Sequence, residues 1–292
     1  MPKLLAKNFN LSSTLESGQL FLYQKIGEWY YVTAKDNLFK ARQEGDYIFF
    51  EGADKKFMTD FFSLDERYNK ILVSINRDDI IDSAIKENFG MRIIRQDPWE
   101  CAVSFIISQN SNIPRITKNI KSICEEFGKE LNMDDFTSYS FPKNIDIANS
   151  KKLHIHRLGY RENFLREFSR KTSADELRRL RDLPFEKALE TITELPGIGD
   201  KVGQCVMLFS LGHRSAFPVD VWIEKAMKQL YNLDPKLSAK HIQALGRAYF
   251  GEHAGYAQQF LYHYSRNNKH LFTAQKTTAD ERNNRAKAKQ SI

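Results

Sequence analysis

The chain has 292 residues and a mass of 34.0 kDa; 41% of its residues are hydrophobic and 28% are charged. This apolar fraction is enough for a packed core, which excludes wholesale disorder, and the length favours two domains. The 44 Lys and Arg residues exceed the 37 Asp and Glu residues by 7, a balance that suits a polyanionic partner but also serves solubility.

The first 77 residues are predicted to form a small antiparallel sheet. Aromatic and β-branched residues are concentrated at 21–25, 28–34, 37–43 and 46–51, and turn signals at Gly27, Asp36 and Gly45 separate these segments. Such short spacing favours a meander of neighbouring strands. After Lys56 the apolar residues recur every three or four positions, which predicts a helix.

Residues 78–271 are predicted to form a larger, mostly helical body, which makes the fold class α+β. Asp97 and Pro98 are suited to begin one helix, and Gly128 to end another at 113–127. Residues 133–147 are rich in Ser and Asp and are predicted to be a loop with short turns. Residues 272–292 are predicted to be a basic, partly disordered tail. Further helices are predicted at 162–170, 174–182, 184–192, 201–211, 221–231, 239–249 and 254–264.

The cysteine content limits the kinds of site that the chain can hold. Cys101, Cys124 and Cys205 are too few for a disulfide framework and cannot supply the four thiolates of an iron–sulfur cluster. No apolar run reaches the ~18 residues of a membrane span. We therefore expect a soluble protein that contacts no membrane and holds no iron–sulfur cluster. We also expect a monomer that requires no cofactor. The Lys-, Ile- and Asn-rich composition favours a prokaryotic cytoplasm, near the nucleoid; a eukaryotic source would imply the nucleus.

The most informative segment is LPGIGDKV, residues 195–202, between two predicted helices. Pro196 cannot continue a helix, while Gly197 and Gly199 allow positive φ and place no side chain over the turn. The next helix is predicted to begin near Asp200, so that its free N–H groups form an anion site for which a DNA phosphate is the natural ligand. The alternative is an ordinary glycine turn between two helices.

This LPGIG-x-K pattern resembles the helix-hairpin-helix of base-excision DNA glycosylases. Nineteen residues after Lys201, the sequence PVDV places Asp220 at a predicted helix N-cap and matches the Gly/Pro-Asp signature of that superfamily. In the superfamily both groups reach one pocket. There a partly dry helix N-terminus favours a neutral Lys201 amine that can attack a sugar C1′, and the Asp220 carboxylate stabilises oxocarbenium-like charge. Taken singly, each could equally be a solvated lysine or a capping aspartate.

Other segments resemble the 8-oxoguanine DNA glycosylases over nearly the whole chain. Residues 17–21, SGQLF, are similar to a turn whose glycine carbonyl accepts the N7–H of 8-oxoguanine, a proton that guanine lacks. The resemblance therefore implies that Gly18 recognises the lesion. It also implies that Gln258 binds the Watson–Crick edge of the flipped base, that Tyr262 stacks on it, and that Cys205 covers its other face.

The same resemblance implies a set of DNA contacts. The segment 105–113, FIISQNSNI, is similar to the family's asparagine loop, so Asn110 would fill the space left by the flipped base and Arg115 would contact the cytosine opposite. In LGYR, residues 158–161, Tyr160 would wedge beside that cytosine and Arg161 would hydrogen-bond to it. The backbone at Gly197 and Gly199 would bind phosphate.

The resemblance finally implies an activity and a cation site. We predict a bifunctional enzyme that excises 8-oxoguanine opposite cytosine from double-stranded DNA through a Lys201 Schiff base, followed by β-elimination. A monovalent cation would be held by the backbone carbonyls of Thr193, Leu195 and Ile198. One alternative is a monofunctional alkylbase glycosylase of the same fold, which typically lacks a lysine at position 201. The other is a non-enzymatic helix-hairpin-helix protein, which has no need of Asp220.

Overall fold

The N-terminal part of the chain forms a five-stranded antiparallel sheet in a computed structural model that describes residues 1–272. Its strands are β1 (Lys3–Leu5), β2 (Tyr23–Ile26), β3 (Trp29–Ala34), β4 (Asn37–Glu44) and β5 (Tyr47–Glu51). The strand order β1-β5-β4-β3-β2 contains the predicted meander β2 to β5, and β1, which sequence analysis missed, lies at its edge. The α+β fold class is therefore confirmed.

Three two-residue turns fix the register of the meander. Ile26 pairs with Trp29, Ala34 with Asn37, and Glu44 with Tyr47, so each turn lies where a turn was predicted. Gly27 and Gly45 have φ values of 58° and 55°, which two-residue hairpin turns require at their first position. Because side chains alternate between faces along each strand, this register places one apolar face against a buried cluster that includes Val32, Phe39, Ile48 and Phe50.

The rest of the described chain is mainly helical. Residues 180–182, 251–253 and 269–272 form short 3₁₀ segments, and the helix predicted at 221–231 passes into a π-helical turn at Ala226–Leu230. The tail predicted at 272–292 lies outside the described residues from 273 onward, and the predicted domain limits stay predictions. The α-helices are α1 (Leu11–Leu15), α2 (Lys55–Phe61), α3 (Tyr68–Ile75), α4 (Asp79–Glu87), α5 (Pro98–Ser108), α6 (Ile113–Phe127), α7 (Asn144–Asn149), α8 (Arg161–Lys171), α9 (Ala174–Arg179), α10 (Phe185–Thr193), α11 (Asp200–Phe209), α12 (Val221–Lys225), α13 (Ala239–Phe250) and α14 (Ala254–Asn267).

The loop predicted at 133–147 is wrong at both ends, because its last residues belong to α7 (Asn144–Asn149) and its first residues to a β-hairpin. Two short strands, β6 (Glu130–Met133) and β7 (Phe136–Tyr139), form a hairpin that packs on the N-terminal sheet. Its turn residue Asp134 accepts hydrogen bonds from the Tyr31 hydroxyl and the Lys40 amine, each at 2.7 Å. These contacts come from positions about a hundred residues earlier, so no local pattern in this polar segment indicates a strand.

Three helices form the centre of the larger core. Every residue from Pro98 to Ile107 in α5 and from Val202 to Phe209 in α11 is buried. Phe105 and Phe209 stack at a centroid distance of 5.5 Å and join these two helices, and α14 is buried along most of its length. This packing holds the N-terminus of α11 in a fixed position. Among residues 1–272, no helix is both long and apolar enough to cross a membrane.

Candidate active site

The hairpin between α10 and α11 has the predicted position, but its two glycines differ. Gly197 has a φ of 78°, and a Cβ there would lie 2.7 Å from the Cβ of Phe164, so only glycine fits. Gly199 has an extended backbone, with φ −89° and ψ 179°, and open space around a Cβ. The conformational freedom predicted for both glycines is therefore used at Gly197 alone.

Gly199 is the N-cap of α11 and has no side chain to cap the helix. The first-turn N–H groups are consequently left without a side-chain acceptor, at an exposed position in a basic protein. The asparagine loop is tied to this hairpin, since Gln109 Nε2 donates to the Gly197 carbonyl at 2.9 Å. The helix N-terminus and the predicted DNA-contacting loop thus belong to one surface.

One cavity of about 860 Å³ unites the predicted catalytic and base-binding residues. They come from the turn before β2, from α11, from the N-cap of α12 and from α14, and Asn110 and Gly199 line the same cavity. Four other predicted DNA-contacting residues, Arg115, Tyr160, Arg161 and Gly197, are outside its lining. The predicted catalytic and base-binding residues that line it are Gly18, Lys201, Cys205, Asp220, Gln258 and Tyr262.

Asp220 is the N-cap of α12, as predicted. Its Oδ1 accepts hydrogen bonds from the backbone N–H groups of Trp222 at 3.0 Å and Ile223 at 2.9 Å, which fixes the carboxylate at the cavity wall. Burial raises the pKa of the Asp220 carboxyl, while those N–H groups and the Lys201 charge oppose the rise. A carboxylate held this way can face a developing positive charge without reorientation.

Lys201 lies in the first turn of α11, beside an aromatic wall. Its Nζ is 5.2 Å from the centroid of the Phe105 ring. One turn later, burial raises the pKa of the Cys205 thiol to about 11, an effect that Lys201 partly offsets by its charge and a hydrogen bond. Cys205 is therefore a neutral, apolar neighbour at physiological pH, suited to contact a flat ring.

α14 supplies the opposite wall of the cavity. Gln258 is only 4% exposed, and its buried Oε1 has no hydrogen-bond partner among the described residues. This oxygen can therefore accept a hydrogen bond from the polar edge of a ligand. Tyr262 lies one turn later on the same face. Gly18 faces it with a φ of 81°, and a Cβ at Gly18 would lie 3.0 Å from the Tyr262 hydroxyl oxygen.

The predicted DNA-contacting side chains lie next to the cavity. Asn110 has a φ of 48° and its Nδ2 donates to the Tyr160 hydroxyl at 2.9 Å, while Tyr160 is half exposed. Arg115 is exposed on α6. Arg161 is buried instead, and its guanidinium donates to the carbonyls of Gln109, Asn110 and Leu158. In this structure Arg161 holds the asparagine loop, so its contact with cytosine stays a prediction.

Sequence reasoning missed several residues of this cavity. Gln259 and Arg266 extend from α14 beside Tyr262, and their spacing of three and four residues from it was the signal that could have found them. Trp222 also lines the cavity, with the Nζ atoms of Lys225 and Lys269 at 5.2 and 5.9 Å from its ring centroid.

Comparisons with known proteins agree with this geometry. Residues 3–102 match the N-terminal domain of 8-oxoguanine DNA glycosylase, and residues 103–250 match the HhH-GPD superfamily base excision DNA repair protein. The N-glycosylase/DNA lyase OGG1 of Arabidopsis thaliana is 30% identical over 89% of this chain and 78% of its own. A probable N-glycosylase/DNA lyase of Methanothermobacter thermautotrophicus is 27% identical over 77% of this chain and 75% of its own.

A solved structure extends the agreement to the fold. The 8-oxoguanine glycosylase/lyase of Clostridium acetobutylicum, in complex with double-stranded DNA containing cytosine opposite 8-oxoguanine, is 30% identical. It superposes with a TM-score of 0.86 over 92% of this chain and 99% of its own. Together with the cavity that contains Lys201 and Asp220, these matches show that the chain belongs to the 8-oxoguanine DNA glycosylase/lyase family of the HhH-GPD superfamily, a family of base-excision repair enzymes.

Proposed function

We propose that this chain excises 8-oxoguanine paired with cytosine in double-stranded DNA and then cleaves the strand at the resulting site. The observation that carries the proposal is the common cavity. Gly18, Lys201, Asp220 and Gln258 are separated by up to 240 positions in sequence, yet all four line it. A nucleophile, a carboxylate and two groups that can recognise a base edge are the components that this reaction needs.

The excision step is assigned to Lys201 and Asp220. The Lys201 nitrogen, after giving up its ammonium proton, forms a bond to C1′ as the bond from C1′ to N9 breaks, and the departing base takes up a proton. Positive charge develops on the sugar as that bond breaks, and the Asp220 carboxylate stabilises it. Loss of a proton from the amine and opening of the sugar ring give a Schiff base between Nζ and C1′. Removal of a C2′ proton then expels the 3′ phosphate by β-elimination.

The base is recognised by four groups around the cavity. The Gly18 carbonyl accepts the N7–H of 8-oxoguanine, which guanine lacks, and the unpartnered Gln258 amide binds the Watson–Crick edge. Tyr262 and the neutral Cys205 thiol cover the two ring faces. Because a buried carbonyl oxygen without a donor costs free energy, Gln258 Oε1 favours a base edge that supplies a donor.

The DNA is held outside the cavity. The uncapped N–H groups at the start of α11, next to Gly197 and Gly199, bind a phosphate, and exposed lysines and arginines add salt-sensitive attraction. Asn110 and Tyr160 enter the duplex where the base has left, and Arg115 supplies donors to the cytosine opposite. The Clostridium acetobutylicum relative, which was solved in complex with double-stranded DNA, supports DNA binding by this fold.

A monovalent cation at the hairpin is part of the proposal. The backbone carbonyls of Thr193, Leu195 and Ile198 are hard oxygen donors of the kind such cations prefer. The Leu195 carbonyl also accepts the Ile198 N–H at 3.1 Å, which leaves one of its lone pairs for a cation. By binding the three carbonyl oxygens, the cation would stabilise the turn next to the phosphate site. Among residues 1–272, no group of three or more His, Cys, Asp or Glu residues could hold a metal ion.

Trapping with borohydride tests the proposal. A duplex with 8-oxoguanine opposite cytosine should give a covalent adduct with the unchanged protein and none with Lys201→Gln. Absence of the adduct from the unchanged protein would overturn the Schiff-base mechanism. Excision retained by Lys201→Gln would indicate a water nucleophile, as in a monofunctional alkylbase glycosylase. Binding without excision of any base in a panel of damaged duplexes would indicate a DNA-binding protein without catalysis.

A further inference from the structure

Two side chains of α14 hold the turn that contains Gly18. Arg266 Nη2 donates to the carbonyl of Glu16 at 2.6 Å, and Gln259 Nε2 donates to the carbonyl of Ser17 at 2.8 Å. Gln259 and Arg266 are seven positions apart and therefore share one face of the helix. The helix that carries Gln258 into the cavity is thus fastened to a turn about 240 residues earlier in the chain.

The carbonyl of Gly18 differs from those around it. Glu16, Ser17 and Gln19 all have carbonyls that accept side-chain hydrogen bonds, the last from Gln96 Nε2 at 2.7 Å. Among the hydrogen bonds of residues 1–272, none ends on the Gly18 carbonyl. The turn is therefore fixed on both sides of one acceptor that is left open at the cavity wall.

Arg266 faces this wall as well as the turn. Its Nη1 is buried without a hydrogen-bond partner among the described residues and would lie 3.1 Å from a Cβ at Gly18. Its guanidinium carbon is 5.5 Å from the centroid of the Tyr262 ring. Arg266 is thus only partly exposed, with one guanidinium nitrogen buried beside Gly18 and another bound to the Glu16 carbonyl.

We propose that Arg266, assisted by Gln259, is a positioning residue for lesion recognition. It holds residues 16 and 17 so that the Gly18 carbonyl points into the cavity, ready for the N7–H of 8-oxoguanine. Hydrogen bonds from charged donors are stronger than neutral ones, and a recognition group must be held within about 0.5 Å to be effective. The inference rests on the proposed function, since it concerns the base that this cavity selects.

The test compares Arg266→Met, which has no donor, with Arg266→Lys, which keeps a charged donor group on a single nitrogen. Arg170→Met is the matched control, because Arg170 is an exposed arginine of α8 paired with Glu167. Single-turnover excision of 8-oxoguanine should fall about 10- to 100-fold in Arg266→Met and less in Arg266→Lys. Cleavage at a preformed abasic site should stay within about twofold for all three variants, since it needs no base recognition. This second assay also shows that each variant is folded.

A selectivity measurement separates positioning from a general structural role. In a Lys201→Gln background, binding affinity is compared for duplexes that contain 8-oxoguanine and duplexes that contain guanine. The ratio of the two dissociation constants should shrink about 10-fold or more when Arg266→Met is added. Unchanged excision, an equal loss of abasic-site cleavage, or an unchanged preference would each overturn this inference while leaving the proposed function intact. No excision by the unchanged protein would overturn both.

Discussion

Asn110 Nδ2 donates to the Tyr160 hydroxyl at 2.9 Å, although the two residues lie 50 positions apart. Both side chains are proposed to enter the duplex beside the unpaired cytosine. In the free protein they are therefore paired with each other, and Asn110 is held at a φ of 48° in the left-handed region that asparagine tolerates. Contacts of the Asn110 amide or the Tyr160 hydroxyl with a base would compete with this hydrogen bond.

Two substitutions at Tyr160 should distinguish what its hydroxyl and its ring each contribute to DNA binding. Tyr160→Phe removes the bond to Asn110 but keeps the stacking surface, so binding to an 8-oxoguanine duplex should be unchanged or up to about 10-fold tighter. Tyr160→Ala also removes the ring and should weaken binding by about 10- to 100-fold. Fluorescence anisotropy in a Lys201→Gln background measures both. Equal weakening by the two variants would contradict a stacking role.

The ionised Asp220 carboxylate should lower the free energy of unfolding, although excision requires it. Burial raises its pKa above the ordinary value of 3.8, so between these two values the folded chain binds more protons than the unfolded chain. Stability consequently falls as pH rises through that window, and at neutral pH the ionised carboxylate is destabilising. Asn is an equally good N-cap. At pH 7, Asp220→Asn should unfold at the same or a higher temperature, while excision falls about 100-fold or more.

Asp54→Asn is the matched control for this prediction. Asp54 is the N-cap of α2, where its Oδ1 accepts the Phe57 N–H at 2.7 Å, and it is exposed and does not line the cavity. We expect this control to change neither the unfolding temperature nor excision. A fall of several degrees in Asp220→Asn alone would mean that the carboxylate stabilises the fold, contrary to the argument from burial.

The hairpin and the shared face of Gln258 and Tyr262 have local physical causes, whereas Gly18, Cys205 and Asn110 were assigned by resemblance alone. A proline and two glycines next to a helix start define the hairpin, and a spacing of four residues places Gln258 and Tyr262 on one face of α14. The strands β6 and β7 were missed because their stability comes from Tyr31 and Lys40 contacting Asp134, a distant residue. For the same reason no local pattern indicated the bond from Arg266 to Glu16.

The buried state of Arg161 shows a second limit of sequence reasoning. By its resemblance to the family, the LGYR motif predicts a positively charged residue that contacts the opposite cytosine, and Tyr160 in the same motif is half exposed. Whether a guanidinium points outward depends on which carbonyls lie within reach. Here those of Gln109 and Asn110 accept its hydrogen bonds. Motif matching supplies the residue, but tertiary structure decides which groups its donors contact.

The three cysteines should be unreactive in the folded protein. Burial raises the pKa of Cys205 to about 11 and raises those of Cys101 and Cys124 well above their ordinary value. The thiolate is the species that attacks a thiol reagent, and it is scarce at pH 8 when the pKa is this high. We expect slow reaction with a chromogenic disulfide before unfolding and three reactive thiols per chain afterwards. A fast-reacting thiol that disappears in Cys205→Ser would contradict the neutral thiol assigned to the cavity.

Substitutions of the two hairpin glycines should have different effects, Gly197→Ala on stability and Gly199→Ala on DNA binding. Gly197→Ala forces a left-handed φ of 78° on alanine and places a Cβ 2.7 Å from that of Phe164, so we expect it to lower the free energy of unfolding by about 1–3 kcal/mol. Gly199→Ala has an ordinary φ and open space, and should cost less than about 1 kcal/mol as a poorer N-cap.

The open space at Gly199 is also where a phosphate would approach the first-turn N–H groups of α11. A methyl group there keeps the phosphate at a distance, so Gly199→Ala should weaken binding to undamaged and damaged duplexes alike, by about 10-fold at low salt. Urea unfolding and anisotropy on the same samples give both quantities. If Gly199→Ala instead lost stability and kept its affinity, the uncapped helix N-terminus would be a purely structural feature and phosphate would have to bind elsewhere.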